Sequence, residues 1–227
     1  MLICKIGKSH LDSGLNKQDA GYIDEHYKFV ADGCGSSPHA EVGAQLAELM
    51  FRTRVQSGMP IDIPDVSQDV FNSFDLDRYP EELDRMGIEI IRDYLLFTTL
   101  IVKERDDHFK VDYVGDGFII EVHQDNTITY KELGVGIRFV EFYGYNYIPH
   151  VAFSVYKDKI TVTTLTYPKS EYKNIGIATD GLRFLFNMPK ERQEEFAQLL
   201  LKGKEVPVKL FINRNYNYFQ DDITIAL

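Results

Sequence analysis

The sequence predicts an α+β fold: two antiparallel sheets with helices packed outside them. Three observations carry this. Short apolar β runs bounded by turn residues outnumber the helical stretches. The helical stretches cluster between Pro38 and Leu96 and again near the C-terminal end, instead of alternating with strands. No internal repeat, low-complexity tract or linker interrupts the 227 residues, which are read as a single domain, 1–227.

Taken in order, Leu2–Ile6 is the first strand, and "GKSHLDSGLNKQDAG" reads as a polar loop. Tyr27–Ala31 is a strand ending at Asp32. "PHAEVGAQLAELMFRTRV" places Val42, Leu46, Leu49, Met50 and Thr53 at helical spacing, with Pro38 at its start. "PDVSQDVFNSFDLD" and "PEELDRMGIEIIRDYLL" are further helical segments, and the many acids of Asp62–Asp84 form a solvated face. From Leu96 the texture turns to β. "FTTLIVKE", "HFKVDYVGD", "GFIIEVHQ" and "TITYKEL" are joined by short turns, with a tight reversal at Gly115–Gly117. "VAFSVY" and "KITVTTLTY" form a hairpin through Lys157–Asp158. "NIGIATDG" is a strand, "PKERQEEFAQLLLKG" a helix, and "EVPVKLFIN" either extends that helix or returns to the sheet. "DDITIAL" is the last strand.

The net charge is −10, with acids spread along the chain. Sequence-independent nucleic-acid binding needs Lys and Arg facing phosphates, so that class is excluded. Cys4 and Cys34 are the only cysteines. With no disulfide framework and no paired-Cys zinc motif, a reducing cytoplasm is expected. No 18-residue apolar run suggests a membrane span, and "MLICKIGKSH" is not patterned as a signal peptide.

Four acidic sites share one context, an apolar β run meeting a turn: "VADG" (Asp32), "VGDG" (Asp116), "IATDG" (Asp180) and "QDDITIAL" (Asp221, Asp222). Asp19, in "NKQDAG", precedes a strand instead. Asp-Gly is a common turn pair, and any one site could be only that. As a set they point to a cation, because gathered carboxylates repel and lose hydration unless an ion lies between them. Oxygen-only donors select Mg or Mn over zinc.

The ordered series "NKQDAG", "FVADGCGS", "FTTLIV", "VGDGFIIEV", "IGIATDGL" and "QDDITIAL" resembles the metal-dependent protein phosphatases of type 2C, in the family's order and over essentially the whole chain. The resemblance implies a four-layer α-β-β-α sandwich with a metal site at one end. It implies hydrolysis of phosphoserine and phosphothreonine in proteins by a hydroxide bridging two Mn or Mg ions. The partners implied are a phosphorylated protein and a cognate serine/threonine kinase, with no nucleic acid and no membrane. Matched motif by motif, Asp32 is the carboxylate bridging both ions and Gly33 offers a carbonyl oxygen. Asp180 and Asp221 are further ligands, Asp19 acts through metal-bound waters, and Asp116 would hold a weaker third ion. Asp32, Asp180 and Asp221 thereby become the catalytic set.

The chain also departs from the family. Some members carry an Arg five residues before the first Asp to bind phosphate; here that position is Gly14. Lys17 or Lys8 could stand in, but a lysine is a point charge and not a bidentate fork. Where some members have a His acid after the first Asp-Gly, this chain has Cys34, a small filler or else an oxidisable thiol. His39 is read as packing at a helix start or lying in solvent. Many members have Asn where Asp222 stands. The aromatic stretch from Gly134 to His150, with Phe139, Phe142, Tyr143, Tyr145 and Tyr147, either covers the core or offers a contact surface. These departures keep two other readings open: a weakly active or inactive member that binds a kinase or phosphoprotein, and a metal hydrolase acting on a small phosphoester.

Overall fold

A computed structural model describes residues 1–75, 83–135, 140–147 and 159–227. Among these described residues, ten strands form two five-stranded antiparallel sheets. One has the order β1 (Leu2–Lys5), β10 (Ile223–Ala226), β9 (Tyr172–Ala178), β6 (Gly117–His123), β7 (Ile128–Leu133). The other runs β2 (Asp19–Ile23), β3 (Tyr27–Gly33), β4 (Phe97–Glu104), β5 (His108–Val114), β8 (Thr163–Pro168). Alternation of side chains across each strand sorts the apolar residues into three layers. Val30, Leu100, Val102, Val111, Ile119, Ile175 and Ile177 fill the space between the sheets. On the outer face of the second sheet, Phe29, Ala31 and Ile101 pack on Ala44, Ala47 and Phe51 of α2 (Ala40–Ser57), with α3 (Ile63–Asn72) and α4 (Leu83–Tyr94) alongside. On the outer face of the first, Phe118, Ile223 and Ile225 pack on Phe196 and Leu200 of α5 (Lys190–Leu201) and Phe211 and Ile212 of α6 (Glu205–Arg214). The result is the four-layer α-β-β-α sandwich.

Small residues let α2 lie close. A Cβ at Gly43 would fall 1.8 Å from the carbonyl oxygen of Tyr94 at the end of α4, so only glycine fits the crossing.

Several expectations change in detail. The polar loop after β1 contains a short helix, α1 (Lys8–Ser13), closed by Gly14 in the left-handed region at φ +69°. "EVPVKLFIN" is neither an extension of α5 nor a strand: Gly203, at φ +62°, ends α5, and α6 starts afresh. Strand β8 (Thr163–Pro168) keeps only the "TTLTY" end of "KITVTTLTY", adds Pro168, and pairs with β5. Its expected partner "VAFSVY", together with Phe139 and His150, lies outside the described residues. Among the described residues, no helix is long and apolar enough to cross a membrane.

Candidate metal centre

Strand register brings the first two acids together. Asp19 opens β2 directly opposite Asp32 on β3, and Thr98 of β4 is Asp32's other neighbour. Lys28, Val30 and Asp32 share the inner face of β3, so Asp32 points into the space between the sheets at its open end. The partner sheet supplies the rest. Ile175 and Ile177 face inward from β9, and the next inward position, Thr179, precedes Asp180. Asp221 immediately precedes Asp222 at the entry to β10. The turn between β5 and β6 carries Asp116 between Gly115 (φ +94°) and Gly117 (φ +136°), values that side-chain-bearing residues rarely adopt.

These acids meet in one cavity of about 190 Å³, lined by Asp32, Gly33, Asp116, Asp180 and Asp221 together with His10, Gln18, Cys34 and Thr98. Gly33 is a glycine for a packing reason: a Cβ there would lie 2.6 Å from the Ala40 carbonyl oxygen at the start of α2. Asp19 sits behind the cavity wall, fully buried. Its Oδ2 accepts from Thr179 Oγ1 at 2.7 Å, and Thr179 Oγ1 in turn accepts from Thr224 N–H at 2.9 Å. Its Oδ1 has no partner among the described residues.

The carboxylates are short of positive charge. Burial drives Asp32 well above the ordinary carboxylate range, and the charges of Asp19, Asp180 and Asp221 add to it. Burial lifts Asp19 to about 7 and, helped by Asp116 and Asp221, lifts Asp180 to about 6. Asp116 is raised by burial as well. Among the described residues Asp32 has no ion-pair partner. Also among the described residues, no group of three or more His, Cys, Asp or Glu side chains is drawn tightly enough to cage an ion alone. The donor set nonetheless suits a hard divalent ion: oxygen donors, a buried carboxylate oxygen without a partner, and excess negative charge, with water completing the shell.

The comparisons agree with this architecture. The family model described as protein phosphatase 2C matches residues 6–207. The chain belongs to the protein phosphatase 2C family. No curated protein sequence matches it. A bacterial serine phosphatase is 13% identical with a TM-score of 0.61, covering 99% of this chain and 94% of that one. Serine/threonine phosphatase Stp1 from Staphylococcus aureus is 13% identical with a TM-score of 0.58, covering 99% and 92%. The catalytic domain of the serine/threonine protein phosphatase PstP, in complex with two manganese ions, is 16% identical with a TM-score of 0.58, covering 99% and 94%. At such identities these likenesses speak to the fold.

Other family positions fall as follows. Lys17 does not line the cavity; its ammonium donates to the backbone carbonyl of Asp19. Gly14 ends α1 in the left-handed region, so no side chain at that position reaches the site. Cys34 lines the cavity, its Sγ 3.1 Å from Ser36 Oγ. His39 stacks on Tyr94, with ring centroids 4.9 Å apart. Of the aromatic stretch, Phe142 lines the cavity wall and packs with Tyr145, while Tyr147 stacks on Phe71 of α3.

His10 and Arg183 were not singled out by the sequence. His10 lies in the cavity with its Nδ1 3.0 Å from Asp222 Oδ1. Arg183 reaches Asp116 and Asp180 from just beyond the Asp-Gly turn. The place of His10 arises from a contact between the two ends of the chain, and that of Arg183 from a local contact with Asp180 together with distant ones to Asp116 and Glu132.

Proposed function

We propose that this chain is a Mn- or Mg-dependent protein serine/threonine phosphatase. One observation carries the reading: four carboxylates from four separate strand ends face one cavity without enough positive charge to balance them. Asp32 would hold two ions jointly, with Gly33, Asp180 and Asp221 as further ligands and Asp19 acting through water. Bound divalent ions would make a water acidic enough to attack phosphorus and would screen the phosphate charge.

The chain's own residues set the geometry. The β2–β3 register fixes Asp19 behind Asp32. Thr179 holds Asp19 Oδ2 in place, so Asp19 can orient water toward the cavity. Phe142 and Val140 form an apolar wall that excludes bulk water from one side. No Ser or Cys nucleophile is required, since water attacks directly. The substrate would be a phosphoprotein in the cytoplasm, paired with a serine/threonine kinase.

The test is phosphate release from a phosphoserine and a phosphothreonine peptide with Mn present, with D180N as control. Release that needs Mn and disappears in D180N supports the reading. Protein that neither binds Mn calorimetrically nor releases phosphate sinks it. A second reading, a phosphoprotein-binding member without turnover, is favoured by the helix-ending Gly14 where a phosphate-binding Arg could have stood. Peptide capture without turnover would select it. Turnover of sugar phosphates or nucleotides above that of phosphopeptides would select a small-phosphoester hydrolase.

A further inference from the structure

Arg183 lies within the 3-10 helix that opens at Asp180. Its Nε donates to Glu132 Oε1 on β7 at 2.8 Å. The two ends of its fork then reach different carboxylates: Nη1 lies 3.6 Å from Asp180 Oδ2 and Nη2 3.8 Å from Asp116 Oδ2. Asp116 and Asp180 both line the cavity. The guanidinium is therefore interposed on the flank of the cavity where these two acids face one another, and it is anchored there by a third acid outside it. Arginine stays charged at every accessible pH, and its planar fork can serve two carboxylates at once.

We propose that Arg183 is a resident cation of this centre. It fills the ground between Asp116 and Asp180, so that this pair recruits no metal ion of its own and the centre holds only the ions gathered around Asp32. The inference rests on the reading that these carboxylates bind Mn or Mg. Two features of the site support it. Asp32 has no cation partner among the described residues, whereas Asp116 and Asp180 share one. A divalent ion placed between Asp116 and Asp180 would also meet a fixed positive charge within contact range, in a partly buried place where repulsion is weakly screened. The expectation that Asp116 holds a third ion is replaced, for this chain, by an arginine doing the same electrostatic work.

The experiment counts Mn bound per chain by calorimetry on wild type, R183A, R183Q and the double variant R183A/D116N. Arg183 is half-exposed, so its loss leaves the core untouched, and R183Q keeps the stem should R183A fold poorly. Removing the guanidinium should add about one weaker Mn per chain, as expected when two carboxylates lose the cation they share. Adding D116N should return the count to the wild-type value. Equal Mn counts in wild type, R183A and R183Q overturn the proposal. So does an extra ion that survives D116N, since it would lie elsewhere. If wild type binds no Mn at all, the metal-centre reading itself fails, and that outcome is distinct from the other two.

Discussion

Sheet two carries two buried clusters of charge, and they are opposite in design. On the helix side of the sheet, Lys103 of β4 pairs with Asp112 of β5 at 2.8 Å; both are nearly inaccessible. Asp112 also accepts from Thr164 Oγ1 at 2.6 Å and lies 3.2 Å from Lys110. Burial pushes the Asp112 carboxyl up, but Lys103 and Thr164 hold it below the ordinary value. On the other face, Asp32 sits beside Thr98 of the same strand β4, with Asp19, Asp180 and Asp221 near and, among the described residues, no cation of its own. The first cluster is complete as it stands. The second is balanced only if a cation arrives. Burial alone therefore does not separate a structural cluster from a functional one; the charge balance does.

The comparison breaks most sharply at Asp32. D32N should lower Mn-dependent phosphate release by on the order of 10³, roughly 4 kcal/mol of barrier. The same change removes a repelled carboxylate, so metal-free D32N should unfold at higher urea than metal-free wild type at pH 8, by about 1 kcal/mol. Loss of activity together with loss of metal-free stability would show that Asp32 is structural, like Asp112.

At the balanced cluster the sign reverses. D112N leaves Lys103 buried without its carboxylate, and stability should fall by about 3 kcal/mol. Phosphate release per folded molecule should not change. Urea unfolding and specific activity of the same preparation check both halves. A D112N variant as stable as wild type would mean that the Lys103–Asp112 pair contributes little.

Lys28 tests the intermediate case, a cation that among the described residues has no acid in direct contact. It is buried on the inner face of β3, and its Nζ donates to Asn174 Oδ1 at 2.8 Å and to the Ile175 carbonyl at 2.9 Å. Burial pushes its pKa down to about 8, with Glu104 opposing and Lys169 adding. A lysine near 10.4 when unfolded and near 8 when folded binds more protons in the unfolded state between those values, so stability rises with pH through that window. The handicap is fully present below about pH 8. Wild type should therefore gain about 2 kcal/mol on K28M between pH 7.5 and 10. A difference that stays flat would mean that Lys28 remains charged throughout.

Much of this was legible in sequence because the acids end strands. Asp32, Asp116 and Asp180 each follow an apolar β run and Asp221 precedes one, and a strand end in a two-sheet sandwich lies at the rim of the inter-sheet space. Their meeting was also implied by the family order of the motifs. The short helix α1 was not legible: six residues between glycines with Leu11 as the one apolar side chain carry no period, and the helix is held by backbone donation from Lys8 and Ser9 to Phe219 and Gln220 at the other end of the chain. Lys17 reads as a stand-in for the phosphate-binding Arg because nothing local shows its ammonium turning to the Asp19 carbonyl. His10 and Arg183 were missed for the same reason. Asp222, which His10 meets, and Asp116 and Glu132, which Arg183 meets beside its near neighbour Asp180, are distant in sequence.

Asp222 gives the smallest expected effect and sharpens the comparison from within the centre. It is buried beside Asp221, yet it is satisfied: Oδ1 accepts from Gly7 N–H at 2.7 Å, and Oδ2 from Gln18 N–H at 2.5 Å. Each oxygen has its own backbone donor, and His10 Nδ1 lies 3.0 Å from Oδ1. An asparagine has one acceptor oxygen, so its amide nitrogen would face one of those N–H groups, donor against donor. D222N should cost about 1–2 kcal/mol. Because Gln18 and His10 line the cavity, it should also raise KM for a phosphopeptide more than it lowers kcat, with the Mn count unchanged. A D222N variant that instead loses Mn would place Asp222 among the ligands, on the unbalanced side of the comparison.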